Sequence, residues 1–229
     1  MSNCELTWLG HACWLLKIEG ARVLVDPFLD DSPAAPKRAA EVDADYILVS
    51  PGHFDHIADA AAIAKRCGAT VLSNYEITTW LSQQQQVPKT IGMNLGGGVQ
   101  LPFGRVQLTL AFHSSQLPDG SYGGNPSGFL IQSPASTVYF ACDTGLFGDM
   151  QRIGTRGIDL AVLPIGDLFT MGPDDALEAV KLLRPKQVVP SHFNTWPPIA
   201  QDAEQWATRV RQETKTTPVV LRPGETHIW

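Results

Sequence analysis

The sequence has no run of basic residues. Of its 229 residues, 17 are Lys or Arg and 23 are Asp or Glu, which gives a formal net charge of -6. Proteins that bind nucleic acid non-specifically do so by neutralising phosphates with clustered cations. We therefore expect no nucleic-acid partner. An anionic substrate would need local positive charge, which a bound metal ion can supply.

The sequence also lacks a long apolar segment, a basic leader and a regular spacing of cysteines. No stretch is apolar for long enough to span a bilayer, and the start, MSNCELTWLGHACWLL, does not have the pattern of a signal peptide. The four cysteines, Cys4, Cys13, Cys67 and Cys142, are scattered. We predict reduced thiols in a cytoplasmic protein that does not bind a membrane.

The rest of the composition is that of a globular protein, with 44% hydrophobic and 17% charged residues. Short apolar runs between turn residues predict strands, and longer periodic segments predict helices over residues 57–66 and 173–183. This alternation predicts an α/β fold, which we take as one domain over residues 1–229. Asp26 and Asp143 each follow an apolar run, RVLVD and VYFACD, a weak likeness that suggests two related halves packed face to face.

The motif HFDH is the clearest sign of chemistry. It brings His53, Asp55 and His56 together just after a predicted strand, and histidine nitrogen with carboxylate oxygen is a ligand set for zinc. The motif alone is a weak signal. Three further polar residues each follow an apolar strand, namely His113, Asp143 and His192. Together they predict a site for one or two divalent cations, most simply zinc, with manganese, nickel or iron as alternatives.

Seven ordered segments carry a family resemblance: TWLGHACWLL, LVDPFL, GHFDHIADA, AFHSS, YFACDTGLFGDM, DLAVLPIGDLFTMGP and VVPSHFNT. They resemble the metallo-β-lactamase superfamily, specifically a family of uncharacterised metal-dependent hydrolases near ascorbate-6-phosphate lactonase and N-acyl-phosphatidylethanolamine phospholipase D. The resemblance implies a four-layer αββα sandwich with metals at one edge of the two sheets. It also implies a ligand set. The first metal would take His53, His113 and the position of Pro51; the second would take Asp55, His56 and His192; Asp143 would bridge them.

Two residues depart from the family pattern. Pro51 stands where a histidine is expected and has no side-chain donor, and Cys142 stands where glycine is usual before the bridging aspartate. The first site still has two histidines and a carboxylate, which suffice for a catalytic zinc. We therefore predict an asymmetric pair with a sound second site and a weakened first one. Cys142 is expected to be a packed small residue.

Further residues are candidates for catalysis and substrate binding. We assign catalytic roles to Asp55 and to His11. His11 lies in the turn WLGHAC. It either serves the site, in part replacing the ligand missing at Pro51, or is only a turn residue that is hydrogen-bonded to the backbone. The predicted substrate contacts are Ser114, Ser115 and Thr170. The segment 123–125 is either a lip over the site or a turn, and His227 is expected to be structural.

The leading functional hypothesis is a metal-dependent hydrolase. Hydroxide formed on the metal would attack an ester, lactone, amide or phosphodiester. One alternative is a degenerate binding protein whose activity was lost with the ligand at Pro51. Another is an iron-dependent redox enzyme, because histidine and carboxylate also suit iron. The expected partner is a small-molecule substrate, possibly anionic, and the oligomeric state is left open.

Overall fold

Two seven-stranded β-sheets form the centre of the protein. The computed structural model describes residues 4–229. In the first sheet the spatial order is β14-β1-β2-β3-β4-β5-β6. Its strands are β1 Glu5–Trp8, β2 Trp14–Ile18, β3 Ala21–Val25, β4 Tyr46–Leu48, β5 Thr70–Asn74, β6 Thr90–Met93 and β14 Thr226–Ile228. Strands β1 to β3 form an antiparallel meander, and β3 to β6 run parallel.

The second sheet repeats this plan, with the order β13-β12-β11-β10-β9-β8-β7. Its strands are β7 Gly98–Leu101, β8 Gly104–Leu110, β9 Ser127–Gln132, β10 Thr137–Phe140, β11 Leu160–Pro164, β12 Gln187–Ser191 and β13 Thr217–Pro218. Strands β7 to β10 are antiparallel neighbours, and β10 to β13 are parallel. The helices are α1 Phe54–Ile57, α2 Ala60–Cys67, α3 Tyr75–Gln83, α4 Met150–Gly154, α5 Pro173–Leu183 and α6 Ala203–Glu213.

Alternate side chains of a strand pack in two different hydrophobic layers. Successive side chains of a strand point to opposite faces. On β3, Val23 and Val25 pack between the sheets with residues of the second sheet such as Phe129, whereas Leu24 packs in the layer that contains Ile63 of α2. On the far side, helices α5 and α6 join the core of the second sheet. The result is the αββα sandwich of the α/β class, as the resemblance implied.

One predicted helix is broken. Residues 57–66 do not form a single helix, because α1 ends at Ile57 and α2 begins at Ala60. Between them the Asp59 carboxylate accepts hydrogen bonds from the backbone N–H groups of Leu29 (2.6 Å) and Asp30 (3.2 Å). This long-range contact ends α1 after one turn. The helix predicted over residues 173–183 is found with those bounds, with Pro173 in its first turn.

Two further expectations concern disulfide bonds and membrane-spanning segments. The four cysteines form no disulfide among the described residues. Within residues 4–229, the helices are all too short or too polar to cross a bilayer.

Candidate metal centre

Strand ends deliver the predicted ligands to one edge of the sandwich. His53 precedes α1, and Asp55 and His56 lie within it, just beyond β4. In the second sheet, His113 follows β8, Asp143 follows β10 and His192 follows β12. Loops that leave rigid strands are a usual place for functional side chains.

These side chains converge into two groups. The first cluster consists of His53, His113 and Asp143, and the second cluster consists of His11, Asp55, His56 and His192. Within each cluster, one potential ligand atom from every residue lies within 4.8 Å of the others. The six residues predicted as metal ligands are thus brought together, and His11 joins the second cluster in addition.

Asp143 lies between the two clusters. Its Oδ2 atom is 3.0 Å from Nε2 of His56, 3.4 Å from Nε2 of His192 and 3.4 Å from Nε2 of His113. One carboxylate oxygen therefore faces both sets of imidazoles, which is the position required of a bridging ligand.

The donor atoms fit a cation better than they fit one another. Nε2 of His56 is fully buried and only 3.0 Å from Asp143, yet the two atoms are not aligned as a hydrogen bond. Oδ1 of Asp143 also receives no hydrogen bond from the described residues. Buried polar atoms are rarely left unpaired. A divalent cation, for which imidazole nitrogen and carboxylate oxygen are the ordinary ligands, would satisfy both atoms.

The pKa shifts of the site residues also favour a cation. Burial raises the pKa of Asp143, but His192 and His56 outweigh that effect and hold it well below its usual range. Burial lowers the pKa of His56, but Asp143 and Asp26 raise it well above the ordinary value. For Asp55, burial opposes ionisation, and His56 and His11 still bring the pKa below its usual range. The carboxylates therefore favour positive charge here, whether a proton on His56 or a metal cation.

Asp26 is a site residue that the sequence analysis did not identify. It is fully buried, and its Oδ2 atom accepts hydrogen bonds from Nδ1 of His56 (3.0 Å) and from Oγ of Ser50 (2.6 Å). Its Oδ1 atom accepts from the Ser50 backbone N–H at 2.7 Å. A carboxylate behind a metal-binding histidine fixes the tautomer and the ring orientation. With its proton on Nδ1, His56 can present Nε2 as a ligand.

His11 belongs with the second cluster. Its ring is fully buried, with Nε2 3.0 Å from Oδ2 of Asp55 and Nδ1 2.7 Å from Oγ1 of Thr195. The His11 ring is therefore hydrogen-bonded to side chains rather than to the backbone. His11 does not belong to the first cluster, so it does not replace the ligand missing at Pro51. Burial and His192 lower the pKa of His11 to about 4, against the influence of Asp55, so the ring is neutral near pH 7.

Backbone strain is concentrated at this edge. His11, Asp26, Cys142 and His192 all adopt left-handed conformations, with φ between 47° and 55°. For residues with a side chain this conformation costs roughly 1–2 kcal/mol each. Such conformations persist where surrounding packing holds them, and they are typical of functional sites. Cys142 is half-buried there, and burial raises the pKa of its thiol.

Of the three predicted substrate contacts, one lines the cleft above the clusters. This cleft has a volume of about 660 Å³. Ser114 lies on its wall, with Oγ 3.4 Å from Nε2 of His53. Ser115 instead is buried, accepts from the Gly52 N–H at 3.0 Å and donates to the Gly123 carbonyl at 2.8 Å. Thr170 lies outside the lining, with its hydroxyl 3.4 Å from the Met171 carbonyl.

Two other predicted features have structural roles. The segment 123–125 is held by Asn74, whose side-chain nitrogen donates to the carbonyls of Gly123 (2.7 Å) and Asn125 (3.0 Å). The segment is a turn held by hydrogen bonds, and not a free lip over the site. His227 lies on β14, where Nε2 contacts Oε1 of Gln187 and the ring stacks on Trp229.

The fold and the two His/Asp clusters define a metal-binding α/β sandwich, and comparison with known proteins gives its family. Residues 5–192 match the sequence profile of the β-lactamase superfamily domain. A Thermus thermophilus protein described as a UPF0173 metal-dependent hydrolase is 47% identical over 221 residues, which cover 96% of this chain and 97% of that one. The chain therefore belongs to the β-lactamase superfamily, among the UPF0173 metal-dependent hydrolases.

Solved structures agree with this assignment. Igni18, a metallo hydrolase from Ignicoccus hospitalis, superposes with a TM-score of 0.89 at 35% identity, covering 100% of this chain and 99% of that chain. CmlA, a diiron β-hydroxylase from Streptomyces venezuelae, gives a TM-score of 0.77 at 15% identity, covering 99% of this chain and 54% of that chain. The likeness to CmlA shows a shared fold only.

Proposed function

We propose that this protein is a hydrolase that uses one or two divalent cations, most simply zinc, to cleave an ester, lactone, amide or phosphodiester. The observation that carries the proposal is the position of Asp143. It faces both clusters on the floor of an open cleft, beside a buried His56 nitrogen that has no aligned partner. The names of the relatives, which include metal-dependent and metallo hydrolases, support the same reaction class.

A bound cation would supply Lewis acidity, which lets water lose a proton near neutral pH and stabilises negative charge on the substrate. The chain's own residues prepare the site. Asp26 holds the Nδ1 proton of His56 and leaves Nε2 as a ligand. Asp55 reaches the cleft with a side chain that is 14% exposed, and we assign it to orient the attacking water.

His11 acts on this reaction through Asp55. The Asp55 carboxylate can only accept a hydrogen bond, so the proton of the neutral His11 ring lies on Nε2 and Nδ1 accepts from the Thr195 hydroxyl. In this tautomer Nε2 is a donor and not a ligand. We therefore treat His11 as a positioning residue, and Asp55, His56 and His192 as the ligands of the second cluster.

The two clusters differ in burial, which supports unequal affinity. His56 and His192 are 0% and 3% exposed, whereas His53 and His113 are only half-buried. Pro51 adds no ligand to the first cluster. We propose that the first equivalent of metal binds to the second cluster together with Asp143.

The experiment combines metal analysis with a turnover panel. The purified protein is expected to contain at least one equivalent of metal, to hydrolyse one or more esters, lactones, amides or phosphodiesters, to lose activity with a chelator and to regain it with zinc. The variant Asp143→Asn should lose both metal and activity. Metal retained without turnover across the panel would favour the binding-protein alternative. Bound iron with substrate-dependent oxygen uptake would favour the redox alternative.

A further inference from the structure

The walls of the cleft are mostly apolar. Above the histidines and aspartates of its floor, five apolar residues form most of the lining, namely Phe54, Leu117, Pro118, Phe169 and Trp196, and Ser114, Gln116 and Gly120 complete it. Among the described residues that line the cleft there is no lysine and no arginine. Sites that recognise phosphate or carboxylate groups typically use arginine or lysine for the purpose. The side chains around this site therefore offer stacking surface and little that would hold an anion.

Part of the aromatic wall packs against a buried ring. Phe28 is 1% exposed and packs against the rings of Phe54 and Trp196, with centroids 5.7 Å and 6.1 Å away. Phe54 and Trp196 are themselves 6.3 Å apart. Aromatic pairs at such separations are mutually stabilising. The two cleft-lining rings are thus supported from behind by the buried ring of Phe28.

Two rings of the wall are largely exposed to solvent. Phe54 and Phe169 are each 59% exposed. Phe169 follows Asp167 and Leu168, which both adopt left-handed backbone conformations, with φ of 63° and 48°. A strained turn that holds a phenylalanine at the mouth of a cleft is a costly arrangement on a surface. Contact with a ligand would account for it.

We propose that the substrate is an uncharged ester, lactone or amide that carries an aromatic ring, and that the ring lies against Phe54, Trp196 and Phe169. This inference rests on the proposed hydrolase function and narrows it. The oxygen of water forms a bond to the carbonyl carbon, the C–O or C–N bond breaks, and a proton passes to the leaving oxygen or nitrogen. The cleft volume of about 660 Å³ is in the range of small-molecule sites.

The test uses three probes on the zinc-loaded protein. Benzyl acetate is neutral and aromatic, ethyl acetate is neutral without a ring, and methyl phenyl phosphate is aromatic and anionic. We expect kcat/KM to be highest for benzyl acetate. In Phe54→Ala and Phe169→Ala, the ratio of kcat/KM for benzyl acetate to that for ethyl acetate should fall by roughly three- to tenfold, the value of one aromatic contact. Because the ratio is compared between proteins, intrinsic differences in ester reactivity cancel.

Tyr75→Ala is the matched control. Tyr75 is 62% exposed and lies outside the cleft lining, so its removal should leave the ratio unchanged. A preference for methyl phenyl phosphate, or a ratio that Phe54→Ala and Phe169→Ala leave unchanged, would overturn the inference while leaving the hydrolase function intact.

Binding of benzyl alcohol, followed by NMR, gives a readout that needs no turnover. We expect it to bind more tightly than ethanol and to bind more weakly to both phenylalanine variants. If it does so while neither these probes nor any substrate of the turnover panel is hydrolysed, the aromatic site stands and the hydrolase proposal fails. If benzyl alcohol binds no better than ethanol, the aromatic site itself is refuted.

Discussion

Replacing Asp26 with asparagine would test whether the buried carboxylate behind His56 tunes the metal centre. The two side chains have nearly the same shape, so packing is preserved. Asp26 accepts three hydrogen bonds, one from His56 and two from Ser50. Asparagine can keep the bond from the Ser50 N–H through its oxygen. Its NH₂ group would then face the Nδ1 proton of His56, which it cannot accept.

The expected effect is a loss of affinity with a smaller loss of stability. Residues that support a metal ligand from behind are typically worth about 10- to 100-fold in metal affinity, or roughly 1.4–2.8 kcal/mol. Hydrogen bonds to charged groups contribute about 1.5–3 kcal/mol and neutral ones about 1 kcal/mol. The metal-free variant should therefore also unfold more easily in urea, by about 1–2 kcal/mol.

Zinc affinity is measured by competition with a chromophoric chelator at constant pH. Asp174→Asn is the control, because Asp174 is an exposed carboxylate, 88% accessible, that forms an ion pair with Arg209 on the protein surface. It should leave zinc affinity unchanged. A folded Asp26→Asn protein that binds zinc within about twofold of the parent, against the expected 10- to 100-fold loss, would refute the role assigned to Asp26.

Three further substitutions probe the same edge. Pro51→His should add a ligand to the first cluster and raise the number of tightly bound zinc ions from one to two; an unchanged stoichiometry in a metal titration would contradict this. Asn74→Ala removes the side chain that caps α3 by accepting a hydrogen bond from the Ile77 N–H, and with it both hydrogen bonds to the 123–125 turn. The free energy of unfolding in urea should therefore fall by about 2–4 kcal/mol. Gly166→Ala would press the new Cβ against the His192 carbonyl oxygen. It should lower the free energy of unfolding by about 1–3 kcal/mol and weaken zinc binding. Gly148→Ala places its Cβ in open space and should change neither quantity.

The convergence of the candidate ligands was predictable from sequence because each follows an apolar strand. Strand ends of a sheet meet at one edge, so His113, Asp143 and His192 were expected near the HFDH motif without knowledge of the exact pairing. Asp26 carried a similar signal, since RVLVD also ends in aspartate. Its partners Ser50 and His56 are brought to it by the parallel pairing of β3 with β4. That register cannot be read from the residues near Asp26.

The position of His11 was likewise beyond a local reading. Its chain neighbours indicate only a turn, while its ring partners, Asp55 and Thr195, lie 44 and 184 residues away. Ser115 shows the converse case. A serine two residues after a candidate metal ligand suggests a substrate contact, but its hydroxyl accepts from the Gly52 N–H and donates to the Gly123 carbonyl.

Helix prediction succeeded for only part of the chain, even where the signal was local. Helix α5 has proline in its first turn followed by two aspartates, and it was found with the predicted bounds. Helix α6 was missed, although Ala203, Trp206, Ala207 and Val210 are buried at helical spacing behind an Asp202 cap. The break after α1 required the contact of Asp59 with the backbone of Leu29 and Asp30, which no local pattern reveals.

The most direct test of the central claim is anomalous diffraction from crystals of the zinc-loaded protein. The account predicts an ion bound by Asp55, His56, His192 and Asp143, at about 2.0–2.2 Å from its nitrogen and oxygen ligands. Any second ion should lie at His53 and His113 with lower occupancy. No peak at the second cluster in crystals soaked with excess zinc, or an ion held only by His53 and His113, would contradict it.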